Sequence, residues 1–129
     1  GATLVAQSYM INRQELVDLI QKAMQHDGFS FINVFSPCVT YNKQNSYDWF
    51  KNHLTTLPEG FDYKNRNQAL KVLGETNGLV TGLLYENTEK PSFEKAMAAH
   101  NGGPHPRALV KDVVKPDQAV FDSLLKPFK

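Results

Sequence analysis

A chain of 129 residues has room for one domain built on one hydrophobic core. Its 41% hydrophobic and 21% charged content is that of an ordinary globular protein, which excludes a disordered or disulfide-stapled chain. A formal charge of +1 supplies no field to hold nucleic acid or an anionic membrane surface, and no apolar run approaches the roughly 20 residues of a membrane span. The N-terminus shows no basic stretch leading into an apolar one, and one cysteine closes no internal disulfide, so the expected compartment is the reducing cytoplasm. A lone cysteine is equally compatible with a metal site shared with another chain segment.

The apolar run Thr3-Leu4-Val5-Ala6 predicts a strand that begins almost at the terminus, as though the chain starts mid-fold. Asn12 followed by Glu15 makes a capping-box pattern, and Leu16, Leu19, Ile20 and Ala23 recur at helical spacing. A helix over residues 13–26 follows, with Asp27-Gly28 expected to end it through a left-handed glycine. Phe29-Ser30-Phe31-Ile32-Asn33-Val34-Phe35 then reads as a strand. Its nearly continuous apolar character suggests a parallel βαβ unit with both sheet faces covered.

Beyond a polar stretch over Tyr41 to Asn45, Ser46 is placed to cap a short helix carrying Trp49, Phe50 and Leu54. Pro58-Glu59-Gly60 marks a turn, and Asn65 with Gln68 repeats the capping-box pattern before Ala69, Leu70, Val72 and Leu73. Asn77-Gly78 ends that helix, residues 79–85 form another buried strand, and Pro91-Ser92 opens a short helix with Phe93 and Met97. Asn101 to Pro106 is expected as a loop, and Pro116 to Leu125 as a last helix stopped by Pro127. The organisation predicted is one segment over residues 1–129, with an α/β core over 1–95 and a tail over 96–129.

Cys38 follows directly on the second predicted strand, in Phe35-Ser36-Pro37-Cys38-Val39-Thr40. Ligands of open α/β sheets bind outside the carboxyl ends of the strands, so a reactive group belongs at this position. Pro37 fixes its own φ and restricts Ser36, which aims the sulfur. The competing reading is a buried structural thiol. A thiol nucleophile would need an oriented histidine, and none of His26, His53, His100 or His105 stands in a recognisable catalytic motif. His100 and His105 fit neither helical pairing nor a zinc site, because Gly102-Gly103-Pro104 between them favours a surface loop. No GxGxxG or GxxxxGK[ST] pattern is present, so a nucleotide-binding fingerprint is disfavoured. Tyr47, Trp49 and Phe50 read as packing residues, and Lys43 as a solvated lysine.

Gly1 to Ser8, and above all Gly28 to Asn42 with its Ser36-Pro37-Cys38-Val39-Thr40 core, closely resemble the C-terminal half of the β subunit of 2-oxoacid:ferredoxin oxidoreductases. The resemblance is strongest to the 2-oxoglutarate type and continues in outline through 65–75, 79–85 and 89–93. It implies an α/β fold with a mainly parallel sheet and flanking helices, the C-terminal part of a thiamine diphosphate-binding fold. For the intact enzyme it implies thiamine diphosphate, magnesium and a 4Fe-4S cluster, with oxidative decarboxylation of a 2-oxo acid to an acyl-coenzyme A and electrons passed to ferredoxin. The implied partners are the N-terminal part of the same β subunit, the α subunit, ferredoxin, the 2-oxo acid and coenzyme A.

In that family three cluster cysteines come from the N-terminal half and a fourth from the Ser-Pro-Cys segment, so the resemblance assigns Cys38 as a cluster ligand. This chain has neither the family's Gly-Asp-Gly thiamine motif nor the other three cysteines. No catalytic residue is therefore expected within it, and no cofactor is expected on it alone. A stand-alone α/β interaction domain with a structural cysteine is the alternative.

Overall fold

A computed structural model describes residues 1–100. The expected loop at 101–106, with His105, and the helix expected at Pro116 to Leu125 lie outside the described residues. The chain divides into two units, Gly1–Ser92 and Phe93–Lys129. In the second, the helix α4 (Phe93–His100) is described, where Pro91-Ser92 predicts it.

The first unit is a four-stranded sheet with helices on it. Its elements in chain order are β1 (Leu4–Tyr9), α1 (Arg13–Gln25), β2 (Ser30–Phe35), α2 (Tyr47–His53), β3 (Thr55–Thr56), α3 (Arg66–Glu75) and β4 (Val80–Glu86). The strand order is β2-β1-β4-β3. β1 and β2 run parallel, joined through α1 as the βαβ pattern predicts, in a register that sets Leu4 opposite Ser30 and Tyr9 opposite Phe35. β3 and β4 are also parallel, while the central pair β1·β4 is antiparallel.

Alternation along β1 sends side chains to two cores. Leu4 and Ala6 meet Leu19 of α1, with Ala23, Ile32 and Leu83 against them. On the other side Val5 joins Val80, Leu84, Ala69 and Val72, which brings in α3. A β-bulge reconciles the strands: Val5 pairs with Tyr85 but Ala6 with Leu83, so Leu84 is the extra residue of β4. Leu84 is 1% exposed and Leu4 fully buried, which marks these as the anchors of the two cores.

Three local expectations are corrected. Asn12 does precede α1, but its side chain makes no capping bond and its ψ of 67° is outside the extended region that N-caps use. Glu15 accepts instead from the hydroxyl of Ser8, 2.9 Å away, because the buried end of β1 needs a partner more than an exposed helix start does. Gly28 is not left-handed: the glycines with positive φ are Gly60, Gly78 and Gly82. It is required for space, since a Cβ there would collide with Thr3 Oγ1 and lie 2.9 Å from His26 Nε2. Finally, β2 is not covered on both faces. It is an edge strand among the described residues, with Phe31 52% exposed and Val34 also exposed. Apolar continuity in the sequence therefore marks surface here as well as core.

Other expectations hold with their mechanisms. Ser46 Oγ accepts from Trp49 N–H at 3.3 Å, and Asn65 Oδ1 accepts from Asn67 and Gln68 N–H. A fourth expectation is corrected at Gln68, which completes no reciprocal box and accepts from Asp62 N–H instead. Asn77 and Gly78, with φ of 51° and 77°, end α3, and Gly78 N–H closes onto Leu73 C=O. Among the described residues no helix is long and apolar enough to cross a membrane.

Candidate functional site

The carboxyl ends of β1 and β2 lie side by side and carry the residues that could do chemistry. The ladder extends one step past the strands, where Met10 N–H donates to Phe35 C=O at 3.1 Å. Ser36 Oγ then contacts Met10 Sδ at 3.5 Å, Pro37 stiffens the next step, and Cys38 follows with its thiol exposed. Asn42 N–H donates to Cys38 C=O at 2.8 Å, and Asn42 Oδ1 in turn accepts from Gln44 and Asn45 N–H. The polar residues of 41–45 thus fold the loop on itself, and Lys43 within it is exposed as expected.

The loop returns through α2 to the place it left. Phe50 of α2 packs its ring on Tyr9 (5.9 Å between centroids) and on Phe35 (5.6 Å), and Trp49 meets Phe50 edge-on at 5.1 Å. Tyr9 is 3% exposed and its hydroxyl donates to Tyr47 C=O at 2.9 Å. Burial raises the Tyr9 pKa above the ordinary phenol value, with smaller contributions from Tyr47 and Asp48. Phe50 therefore has the packing role the sequence suggests. Trp49 is different, as its indole stacks on His53 with centroids 4.1 Å apart.

Beside this cluster is a cavity of about 320 Å³ at the carboxyl end of β1, lined among others by Tyr9, Asn12, Tyr47, Lys51, Thr56 and Thr81. The sequence does not reveal it. β3 is only two residues long, and Thr55-Thr56 carries no alternation from which a strand could be read.

The histidines stand elsewhere. His26, with 2% of its side chain exposed, has Nε2 2.7 Å from Thr3 Oγ1 and Nδ1 3.8 Å from Glu86, which Lys22 also pairs at 2.9 Å. His53 Nδ1 contacts Trp49 C=O, and His100 ends α4 in the other unit. Among the described residues none hydrogen-bonds Cys38, so no thiolate–imidazole pair is built. The exposed thiol also fills no core, which removes the packing role of a buried structural cysteine. No group of three or more His, Cys, Asp or Glu residues is placed to hold a metal among the described residues. What this donor set offers a soft metal centre is one thiolate, so it does not hold a 4Fe-4S cluster unaided.

Residues 38–101 match the family described as the C-terminal part of the pyruvate ferredoxin oxidoreductase β subunit, a match that starts at the exposed cysteine. The chain is 27% identical to a 2-oxoacid:ferredoxin oxidoreductase β subunit of Sulfolobus, over 98% of this chain and 46% of that protein. It is 28% identical to the β subunit of 2-oxoacid:ferredoxin oxidoreductase 2 of Aeropyrum pernix, over 75% of this chain and 35% of the relative. A solved 2-oxoglutarate:ferredoxin oxidoreductase of Magnetococcus marinus, with 2-oxoglutarate, coenzyme A and succinyl-CoA bound, superposes with a TM-score of 0.72 at 29% identity. That superposition covers 96% of this chain and 40% of the other.

By fold and by sequence the chain is thus similar to subunits of ferredoxin-linked oxidoreductases. Among these, its similarity is to the β subunits of 2-oxoacid:ferredoxin oxidoreductases. It spans less than half the length of these relatives.

Proposed function

We propose that this chain forms the C-terminal portion of the β subunit of a 2-oxoglutarate:ferredoxin oxidoreductase, and that Cys38 donates one thiolate to a 4Fe-4S cluster completed by cysteines of the N-terminal portion. The observation that carries the reading is the exposed Cys38 thiol, held at the carboxyl end of the edge strand β2 and left without a protein partner by the described residues. A thiolate donor is needed because iron in such clusters takes soft sulfur ligands, and the cluster when bound supplies one-electron transfer.

The chain's own residues provide position. Pro37 restricts the backbone before the sulfur, Asn42 N–H holds the Cys38 carbonyl, and Met10 ties Phe35 and Ser36 to β1. Thiamine diphosphate and magnesium are assigned to the N-terminal portion, since the Gly-Asp-Gly motif is absent from this sequence. The chain alone is accordingly proposed to be inactive and to require that portion, the α subunit, ferredoxin, a 2-oxo acid and coenzyme A, in the cytoplasm. The Magnetococcus structure, with its bound 2-oxoglutarate and succinyl-CoA, supports the choice of 2-oxo acid. The test is ferredoxin reduction by the assembled complex with coenzyme A present. Reduction driven by 2-oxoglutarate in preference to pyruvate is expected, and no reduction with any 2-oxo acid would contradict the proposal.

A further inference from the structure

Cys38 lies on a loop whose two ends are joined by one side chain. The loop leaves β2 after Phe35 and re-enters regular structure at Ser46, the cap of α2, and Phe50 one turn further on packs on Phe35 itself. Phe50 also packs on Tyr9, the residue opposite Phe35 in the parallel register, and the Tyr9 hydroxyl fixes α2 a second time through Tyr47 C=O. Between those ends the loop has few anchors of its own. Tyr41 is 92% exposed, Val39 is exposed, and the bonds at Asn42 run within the loop rather than to the sheet.

From this arrangement we infer that Phe50 is a positioning residue for Cys38: by clamping α2 to the paired ends of β1 and β2, it fixes where the loop presents its thiolate. This rests on Cys38 being the cluster ligand, but the clamp itself is a property of the chain and can be read without any cluster. In a 7-residue helix with no fully buried side chain, Phe50 is the ring that ties the helix to β1 and β2, while its far end runs into β3 at the other edge of the sheet. Loss of the Phe50 ring removes both aromatic contacts to the strand ends and leaves the Tyr9 hydroxyl on Tyr47 C=O and, just past α2, the pairing of Thr55 and Thr56 with β4.

The test is amide hydrogen exchange on the full chain, comparing wild type, Phe50→Ala, Phe50→Leu and Phe50→Tyr with a control, Val72→Ala, in the core beneath α3. The reporters are Met10 N–H, bonded to Phe35 C=O, and Asn42 N–H, bonded to Cys38 C=O, with Gly78 N–H as the distant reference. Phe50→Ala should speed exchange at Met10 and Asn42 on the order of tenfold while leaving Gly78 unchanged, because only the local opening is made easier. Phe50→Tyr should restore protection, Phe50→Leu should lie between, and Val72→Ala should affect Gly78 first. Should Phe50→Ala not fold, Phe50→Leu gives the same comparison at smaller size. Unchanged exchange at Met10 and Asn42, or equal acceleration at all three amides in both the Phe50 and Val72 variants, would overturn the inference. In the assembled β subunit Phe50→Leu should alter the EPR line shape of the cluster at unchanged iron content. If exchange responds as described while Cys38→Ala leaves iron content and the EPR signal intact, the clamp stands and the ligand reading is what fails.

Discussion

Gly28→Ala separates two reasons for a glycine at the end of α1. A Cβ at residue 28 would run into Thr3 Oγ1 and approach His26 Nε2 to 2.9 Å, and His26 has nowhere to go with 2% of its side chain exposed. Overpacking of this kind costs about 1–3 kcal/mol. Pushing Thr3 and His26 apart also weakens their 2.7 Å bond, worth about 0.5–1.5 kcal/mol. Against this, alanine reduces the freedom of the unfolded chain, a gain of about 0.4–1 kcal/mol. The net expectation is a destabilisation of about 1–3 kcal/mol, seen as a lower urea midpoint at unchanged slope. Because φ is not positive at Gly28, Gly28→Asn should be no better tolerated than alanine. In a Thr3→Ala background, where Oγ1 is gone, the alanine penalty should shrink. A neutral or stabilising Gly28→Ala, or a penalty indifferent to Thr3→Ala, would refute the reasoning.

The two asparagines that begin helices should behave differently. Asn65→Ala should cost about 1 kcal/mol through its bonds to Asn67 and Gln68 N–H, whereas Asn12→Ala should have almost no effect, since its side chain caps nothing; chemical denaturation of both variants checks this. Tyr9 links stability to alkaline pH. Its folded pKa is raised above the unfolded value of about 10, so its contribution is fully present below pH 10 and is lost as pH rises through the folded pKa. Tyr9→Phe should be less stable at neutral pH by about 1 kcal/mol, through the lost bond to Tyr47 C=O, and should lose stability less steeply above pH 10. Urea midpoints from pH 7 to 11 measure both effects.

Most of the elements of the fold are legible because their signals are local. Leu16, Leu19 and Ala23 at helical spacing, Ser46 and Asn65 as caps, and Asn77-Gly78 as a stop each act within a turn or two of chain. Signals that depend on what packs nearby are not legible. Glu15 resembles half of a capping box until Ser8 is seen to need it, and Gly28 resembles a C-cap until Thr3 arrives from β1. The apolar run of β2 cannot say whether it is a core strand or an edge, because that depends on which neighbours the sheet holds. At the site, Cys38 is visible in the sequence as a strand-end residue in a stiff motif. The contact of Phe50 with Tyr9 and Phe35 is not, since it joins three separate elements. The cavity beside Thr81 arises from the same long-range pairing of β4 with β1 and β3.

The role of Cys38 is tested most directly by measuring iron content and the EPR signal of the reduced cluster in the assembled β subunit, wild type against Cys38→Ala. Alanine removes the thiolate at an exposed position where no core packing is lost, so the protein should remain folded. Loss of the 4Fe-4S signal, with iron per β subunit reduced and thermal unfolding of the chain unchanged, is the predicted result. A full complement of iron with an unaltered signal would contradict it.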